Sequence, residues 1–168
     1  MDFKVKKIFI TGLYGSGKTT LAKKLSKELD VPHVKYDSLH TYNNHKCTFD
    51  KIINILKDKG DFIIDAIPVS YGKFGYTWQK FNEYEKNNDI IIICTYCYDK
   101  EVWLQRLVST KGKNIVKNRN GYISNYNAFY FNNTIKQIVF KNVLYYDTIK
   151  NEYTSREIMN ERISDGPL

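Results

Sequence analysis

Three glycines, a lysine and two threonines crowd into nine residues at Gly12–Thr20, GLYGSGKTT. Their spacing fits G-x-x-x-x-G-K-[ST], with an apolar strand pattern before it and a Lys- and Leu-rich helical pattern after it. The chemistry such a seam performs is phosphate binding. A phosphate chain needs several N–H donors converging on its oxygens, and glycines let the backbone curl that closely. A helix opening at Lys18 adds the positive end of its dipole. Gly12, Gly15, Ser16 and Gly17 form the cradle, Lys18 brings a point charge to the β- and γ-phosphates, Thr19 a hydroxyl for Mg²⁺, and Thr20 a contact to the α-phosphate.

The elements that must position this seam alternate along the chain. Apolar strand candidates are Lys7–Thr11, His33–Asp37, Asp61–Ile67, Asp89–Tyr98 and Asn142–Asp147. Helical patterns fall at Lys18–Leu29, Phe49–Lys59, Thr77–Lys86, Lys100–Val108, Tyr126–Phe140 and Thr154–Ile163. Continuously apolar strands such as IIIIC and FIID, separated by helices, imply a parallel sheet covered on both faces, so the fold class is α/β in three layers. The stretch 109–127, STKGKNIVKNRNGYISNYN, is polar and basic; it reads as a mobile insertion in the helix–strand rhythm. At 168 residues, with no repeats or low-complexity linkers, residues 1–168 read as one domain.

Composition narrows the setting. The longest apolar runs are far short of a membrane span and the first residues lack a cleavage-site pattern, so a cytoplasmic protein without membrane contact is expected. Three cysteines without framework spacing agree with reduced thiols. The formal charge of +8 suits a polyanionic partner, nucleotide or nucleic acid, but it is carried by lysines that serve equally as a solvated surface. Cys94 and Cys97 form C-x-x-C, yet residues three apart in a strand point to opposite faces, which argues against chelation. His40, His45 and Cys47 make a zinc site only with a fourth ligand.

Taken with the phosphate-binding seam, the order of motifs resembles the P-loop kinase family, in the branch of adenylate, shikimate, gluconate and polynucleotide kinases. That resemblance implies a P-loop NTPase fold with a five-stranded parallel sheet in the order 2-3-1-4-5 and a lid at 109–127. It also implies an ATP- and Mg²⁺-dependent phosphotransferase. Asp37, in DSLH, falls where the family carries an acidic residue facing the acceptor; it takes or holds the attacking hydroxyl, or else it caps a helix. Asp65, ending FIID, matches the family's carboxylate that orients the waters of Mg²⁺. Arg106 matches a residue that lies against the nucleotide, and Arg119 stands alone as an arginine inside the lid stretch. Either is the candidate cation for the γ-phosphate.

One departure bears on the acceptor. Monophosphate kinases typically show Asp-Gly-x-Pro-Arg where this chain has Asp65-Ala66-Ile67-Pro68-Val69, and no arginine occurs between Val31 and Asp99. Without that fork-shaped clamp, a hydroxyl acceptor is favoured over a phosphate: a nucleoside, nucleotide or polyol. Two other readings stand beside it. A polynucleotide 5′-hydroxyl kinase would use the basic surface and the aromatic stretch around Tyr71, Phe74, Tyr76 and Trp78. A nucleotide-binding ATPase or regulatory module would bind ATP without an acceptor.

Overall fold

The structure, a computed structural model, describes residues 7–39, 51–52, 54–55, 60–67, 90–112, 115, 118–130 and 143–165. The aromatic stretch at 71–78, the helical pattern at 77–86 and the residues His40, His45 and Cys47 lie outside the described residues. Strand β1 (Lys7–Gly12) leads through the glycine seam into helix α1 (Lys18–Leu29), followed by β2 (His33–Lys35) and a one-turn helix α2 (Tyr36–Leu39). Then come β3 (Phe62–Ile67), β4 (Ile90–Tyr96), α3 (Lys100–Lys111), α4 (Arg119–Tyr130), β5 (Val143–Asp147), β6 (Glu152–Thr154) and α5 (Arg156–Asp165). The strands form one sheet in the order β2-β3-β1-β4-β5-β6. Pairing is parallel from β2 through β5, and β6 joins antiparallel.

The expected five-strand order therefore holds, with a sixth strand added at the edge. Its cause is local. The carboxylate of Asp147 accepts from the amides of Ile149 (2.8 Å) and Lys150 (3.1 Å), and Asn151 takes a left-handed conformation at φ 57°. An acidic side chain that folds the backbone after it, with Asn at the positive-φ position, reverses the chain and lays Glu152–Thr154 against β5. The reversal displaces the last helix to Arg156, where the Ser155 hydroxyl caps the Ile158 amide.

Pleat alternation divides the core into two layers of packing. Ile8, Ile10, Ile63, Ile93 and Tyr146 meet Leu21, Ala22 and Leu25 of α1 on one face. Burying Leu21 and Leu25 contributes about 3–6 kcal/mol, enough to hold a helix that has no other apolar stripe. On the other face Phe9, Phe62, Ile64, Ile92 and Cys94 pack with Trp103 and Leu107 of α3, Tyr126 and Tyr130 of α4, and Met159 and Ile163 of α5.

Three expectations change. Tyr36 and Asp37, placed at the end of a strand by their sequence, open α2 instead. The stretch 109–127 extends α3 to Lys111 and supplies most of α4. Tyr122, Tyr126 and Tyr130 recur every fourth residue and give α4 an apolar stripe, with Tyr126 and Tyr130 buried. Cys97 lies beyond the end of β4, so strand alternation does not govern it; both Cys94 and Cys97 are buried as free thiols in the same core layer. Among the described residues, no helix is long and apolar enough to cross a membrane.

Candidate active site

The glycine seam is built from the strand outward. Gly12 ends β1 at φ 134°, and a Cβ there would sit 2.4 Å from the Thr95 carbonyl oxygen of β4, so only glycine lets the two strands approach. Ser16, fully buried, donates its hydroxyl to the Leu13 carbonyl and lies 2.7 Å from Thr95 Oγ1. Thr95 Oγ1 in turn lies 3.1 Å from the Thr11 carbonyl. These hydroxyls pin the loop to the sheet. Gly17, at φ 86°, is the N-cap of α1, and no side chain caps the first turn. The amide ends of α1 and its dipole are left to face an anion.

Lys18 folds back over the loop. Its Nζ donates to the carbonyls of Gly12 (3.0 Å) and Leu13 (2.8 Å). The Leu13 oxygen thus receives Lys18 Nζ, Ser16 Oγ and the Ser16 amide (3.1 Å), three donors on two lone pairs. The crowded ammonium contact is the one a bound anion can exchange, because the other two belong to the turn itself. Thr19 and Thr20 are exposed on the first turn of α1, beside Lys18. The donor set fits a phosphate chain: positive-φ glycines at 15 and 17, an uncapped helix start and a lysine within one turn.

Arg106 joins this site from α3. Its guanidinium donates from Nη1 to Thr148 Oγ1 at 2.7 Å and from Nη2 to the Thr148 carbonyl at 2.8 Å. Thr148 is buried; its amide and hydroxyl also donate to the Tyr96 carbonyl, at 3.1 and 3.0 Å. A Cβ on Gly17 would lie 3.2 Å from Thr148 Cγ2, so the residue that anchors Arg106 also walls the phosphate loop. Thr148 was not among the residues that the sequence pointed to, and its position after a strand-ending Asp was the available signal. Asp147 beneath it is fully buried and paired with Arg162, which also reaches Glu152 at 2.6 Å.

The two carboxylates on the β2–β3 side lie in opposite environments. Asp65 is buried, 2% exposed, on the alternation face of Ile63 that α1 covers. Its Oδ1 accepts a long bond of 3.4 Å from the Tyr36 amide, and Oδ2 lies 3.2 Å from His33 Nε2. That contact is too oblique for a directed hydrogen bond, and Nε2 is otherwise unsatisfied. A carboxylate only accepts, so the approach is favourable with the proton on Nε2. His33 was not anticipated; its pairing with Ile63, two residues before Asp65, is a register fact invisible to motif reading. Asp37 is exposed on α2, and Arg119 is exposed at the start of α4. Lys18, Thr19, Thr20 and Arg106 are thus gathered around one loop through direct contacts or sequence adjacency. Asp37 and Arg119 make no such contact with it.

Tyr14, Trp103 and Leu107 complete the loop's outer wall. Trp103 Nε1 donates to the Tyr14 carbonyl at 2.7 Å, and a Cβ on Gly15 would meet Leu107 Cδ2 at 2.8 Å. Burial raises the Tyr14 phenol above its ordinary pKa, partly offset by its hydrogen bond with Asn125. Desolvation pushes Cys94 up to about 12 and Cys97 up to about 11, so neither offers a thiolate near neutral pH.

Topology and site together define the fold of the P-loop small-molecule kinases. A shikimate kinase from Bacteroides thetaiotaomicron superposes with a TM-score of 0.61 at 14% identity, over 95% of this chain and 94% of that one. The YorR protein from Bacillus subtilis, solved in complex with phosphorylated GDP, gives 0.60 at 20% identity over 94% of each chain. A gluconokinase from Sinorhizobium meliloti gives 0.56 at 12% identity, over 94% of this chain and 89% of that one. No protein-family profile and no curated protein matches the sequence. The likeness is therefore one of fold, three layers around a parallel sheet with a phosphate loop after the first strand.

Proposed function

We propose that the protein is an ATP-dependent kinase that transfers the γ-phosphoryl group to a hydroxyl of a small acceptor: a nucleoside, nucleotide or polyol. The observation that carries this reading is the Lys18 ammonium resting on an over-subscribed carbonyl at the uncapped start of α1. Exchange of that contact for phosphate oxygens relieves the crowding and places the charge against the β- and γ-phosphates. Gly15, Gly17 and Thr20 hold the phosphate chain through backbone and hydroxyl donors, in a cradle that Gly12 and Ser16 shape. Thr19 and Asp65 are the residues that would hold Mg²⁺, which would neutralise phosphate charge.

In the transfer itself, Asp37 accepts the proton of the acceptor hydroxyl while that oxygen bonds to the γ-phosphorus and the bond to the β-phosphate oxygen breaks, releasing ADP. Arg106, held by Thr148, orients the donor, and Arg119, at the start of α4, brings its guanidinium to the γ-phosphoryl oxygens. Missing arginines between Val31 and Asp99 support a hydroxyl over a phosphate acceptor.

Incubation with γ-labelled ATP, magnesium and a panel of nucleosides, nucleotides, sugars and 5′-hydroxyl oligonucleotides tests the reading. Label is expected on a small acceptor, with Asp37→Asn slowing turnover about 10²-fold. Label found solely as free phosphate defeats the kinase assignment. Undiminished turnover in Asp37→Asn defeats the proton-acceptor role.

A further inference from the structure

Tyr14 ties the phosphate loop to α4, and the two ends of its side chain meet different turns of that helix. Its ring lies edge-on to Tyr122, with centroids 5.6 Å apart and planes at 85°. Its hydroxyl, at the far tip, accepts a short hydrogen bond from Asn125 Nδ2. Residues 122 and 125 of α4 thus both meet the one Tyr14 side chain. Arg119 comes three residues before Tyr122, on the same helix face at the start of α4. The backbone of Tyr14 has a separate anchor, the Trp103 indole of α3. Loop shape and helix register are thus held by different bonds from one residue.

Resting on the kinase reading above, we propose that Tyr14 is a positioning residue: it registers α4 against the phosphate loop so that Arg119 faces the γ-phosphate held by Lys18. Plain core packing predicts something else. A residue that merely stabilised the fold would weaken every ligand alike, whereas a residue acting through Arg119 acts on the phosphate that distinguishes ATP from ADP. The ratio of ATP to ADP affinity isolates that difference and needs no turnover.

Calorimetry with each nucleotide in magnesium, on the full chain, supplies the ratio for wild type, Arg119→Ala, Tyr14→Ala, Tyr14→Phe and the Tyr14→Ala/Arg119→Ala double variant. Arg119→Ala is expected to lower it about tenfold, the effect of losing a charge-assisted contact. Tyr14→Ala should lower it by a similar factor, and the double variant no further than Arg119→Ala alone. Tyr14→Phe keeps the ring and loses the Asn125 bond, and should lower the ratio about threefold; it decides the matter if Tyr14→Ala does not fold. An unchanged ratio in the Tyr14 variants, an equal loss of both nucleotides, or factors that multiply in the double variant overturns the proposal. If wild type binds both nucleotides but phosphorylates nothing, the kinase reading falls while the ratio still decides the role of Tyr14. If ATP does not bind at all, both fall.

Discussion

Thr148 and Asp37 follow strands on opposite sides of β1 and are held in opposite ways. Thr148, on the β5 side, is buried under bonds from Arg106 and to Tyr96, above an Asp147 locked by Arg162 and two backbone amides. Asp37, on the β2 side, stands exposed on a one-turn helix whose partner strand spans three residues. Donor binding asks for the same backbone cradle whatever the reaction, so it is served by a dense, pre-arranged network. On the kinase reading proposed above, acceptor recognition would rest on side chains at this edge of the sheet. On that reading the donor flank would carry rigidity and the acceptor flank choice.

Substitutions that separate the two flanks test this contrast. The largest effect is expected from Lys18→Ala, which removes the charge at the centre of the site and should slow phosphoryl transfer about 10³-fold. Steady-state kinetics checks it, and turnover near wild type would place the donor site elsewhere. On the donor flank, Arg162→Ala leaves Asp147 buried without its cation and should cost about 3 kcal/mol of stability in urea titration. ATP affinity should fall with it, because Thr148 rests on the turn that Asp147 folds. A loss of stability with ATP affinity intact would uncouple that turn from the loop. On the acceptor flank, Asp37→Asn should leave stability within about 0.5 kcal/mol while reducing turnover. A large stability loss there would erase the contrast.

The smallest effect is alkaline. Cys94 and Cys97 are raised from 9.0 to about 12 and about 11 by desolvation, so the folded state keeps protons that the unfolded chain releases. Their stabilisation is complete below pH 9 and is lost as the pH rises through the folded values. Urea titrations at pH 9 and 10 should differ by about 1 kcal/mol per thiol, and Cys97→Ala should flatten the slope. A slope unchanged in that variant would assign the alkaline loss to the buried tyrosines instead.

How much of the site could be read in advance follows from the range of each interaction. The helix α1 was legible to the residue and β1 to within one, since period, glycine spacing and helix start are all local in sequence. The β6 reversal and the α4 stripe were also written locally, in Asp147 with Asn151 and in Tyr122, Tyr126 and Tyr130, but a polar, basic stretch masked the second pattern. His33 beside Asp65, Thr95 under Gly12 and Tyr14 against Tyr122 had no local signal, because each contact crosses strands or helices far apart in the chain.

The amino-acid sequence by itself determined that a glycine turn of the shape that suits phosphate joins the first strand to the first helix, because that geometry needs only backbone freedom, a dipole and one lysine within eight residues. Only the tertiary structure decided which side chains brace that turn. Trp103, Arg106 and Tyr122 come from α3 and α4 and Thr148 from the turn after β5, about 80 to 130 residues away, and their approach is fixed by sheet register and helix packing rather than by spacing.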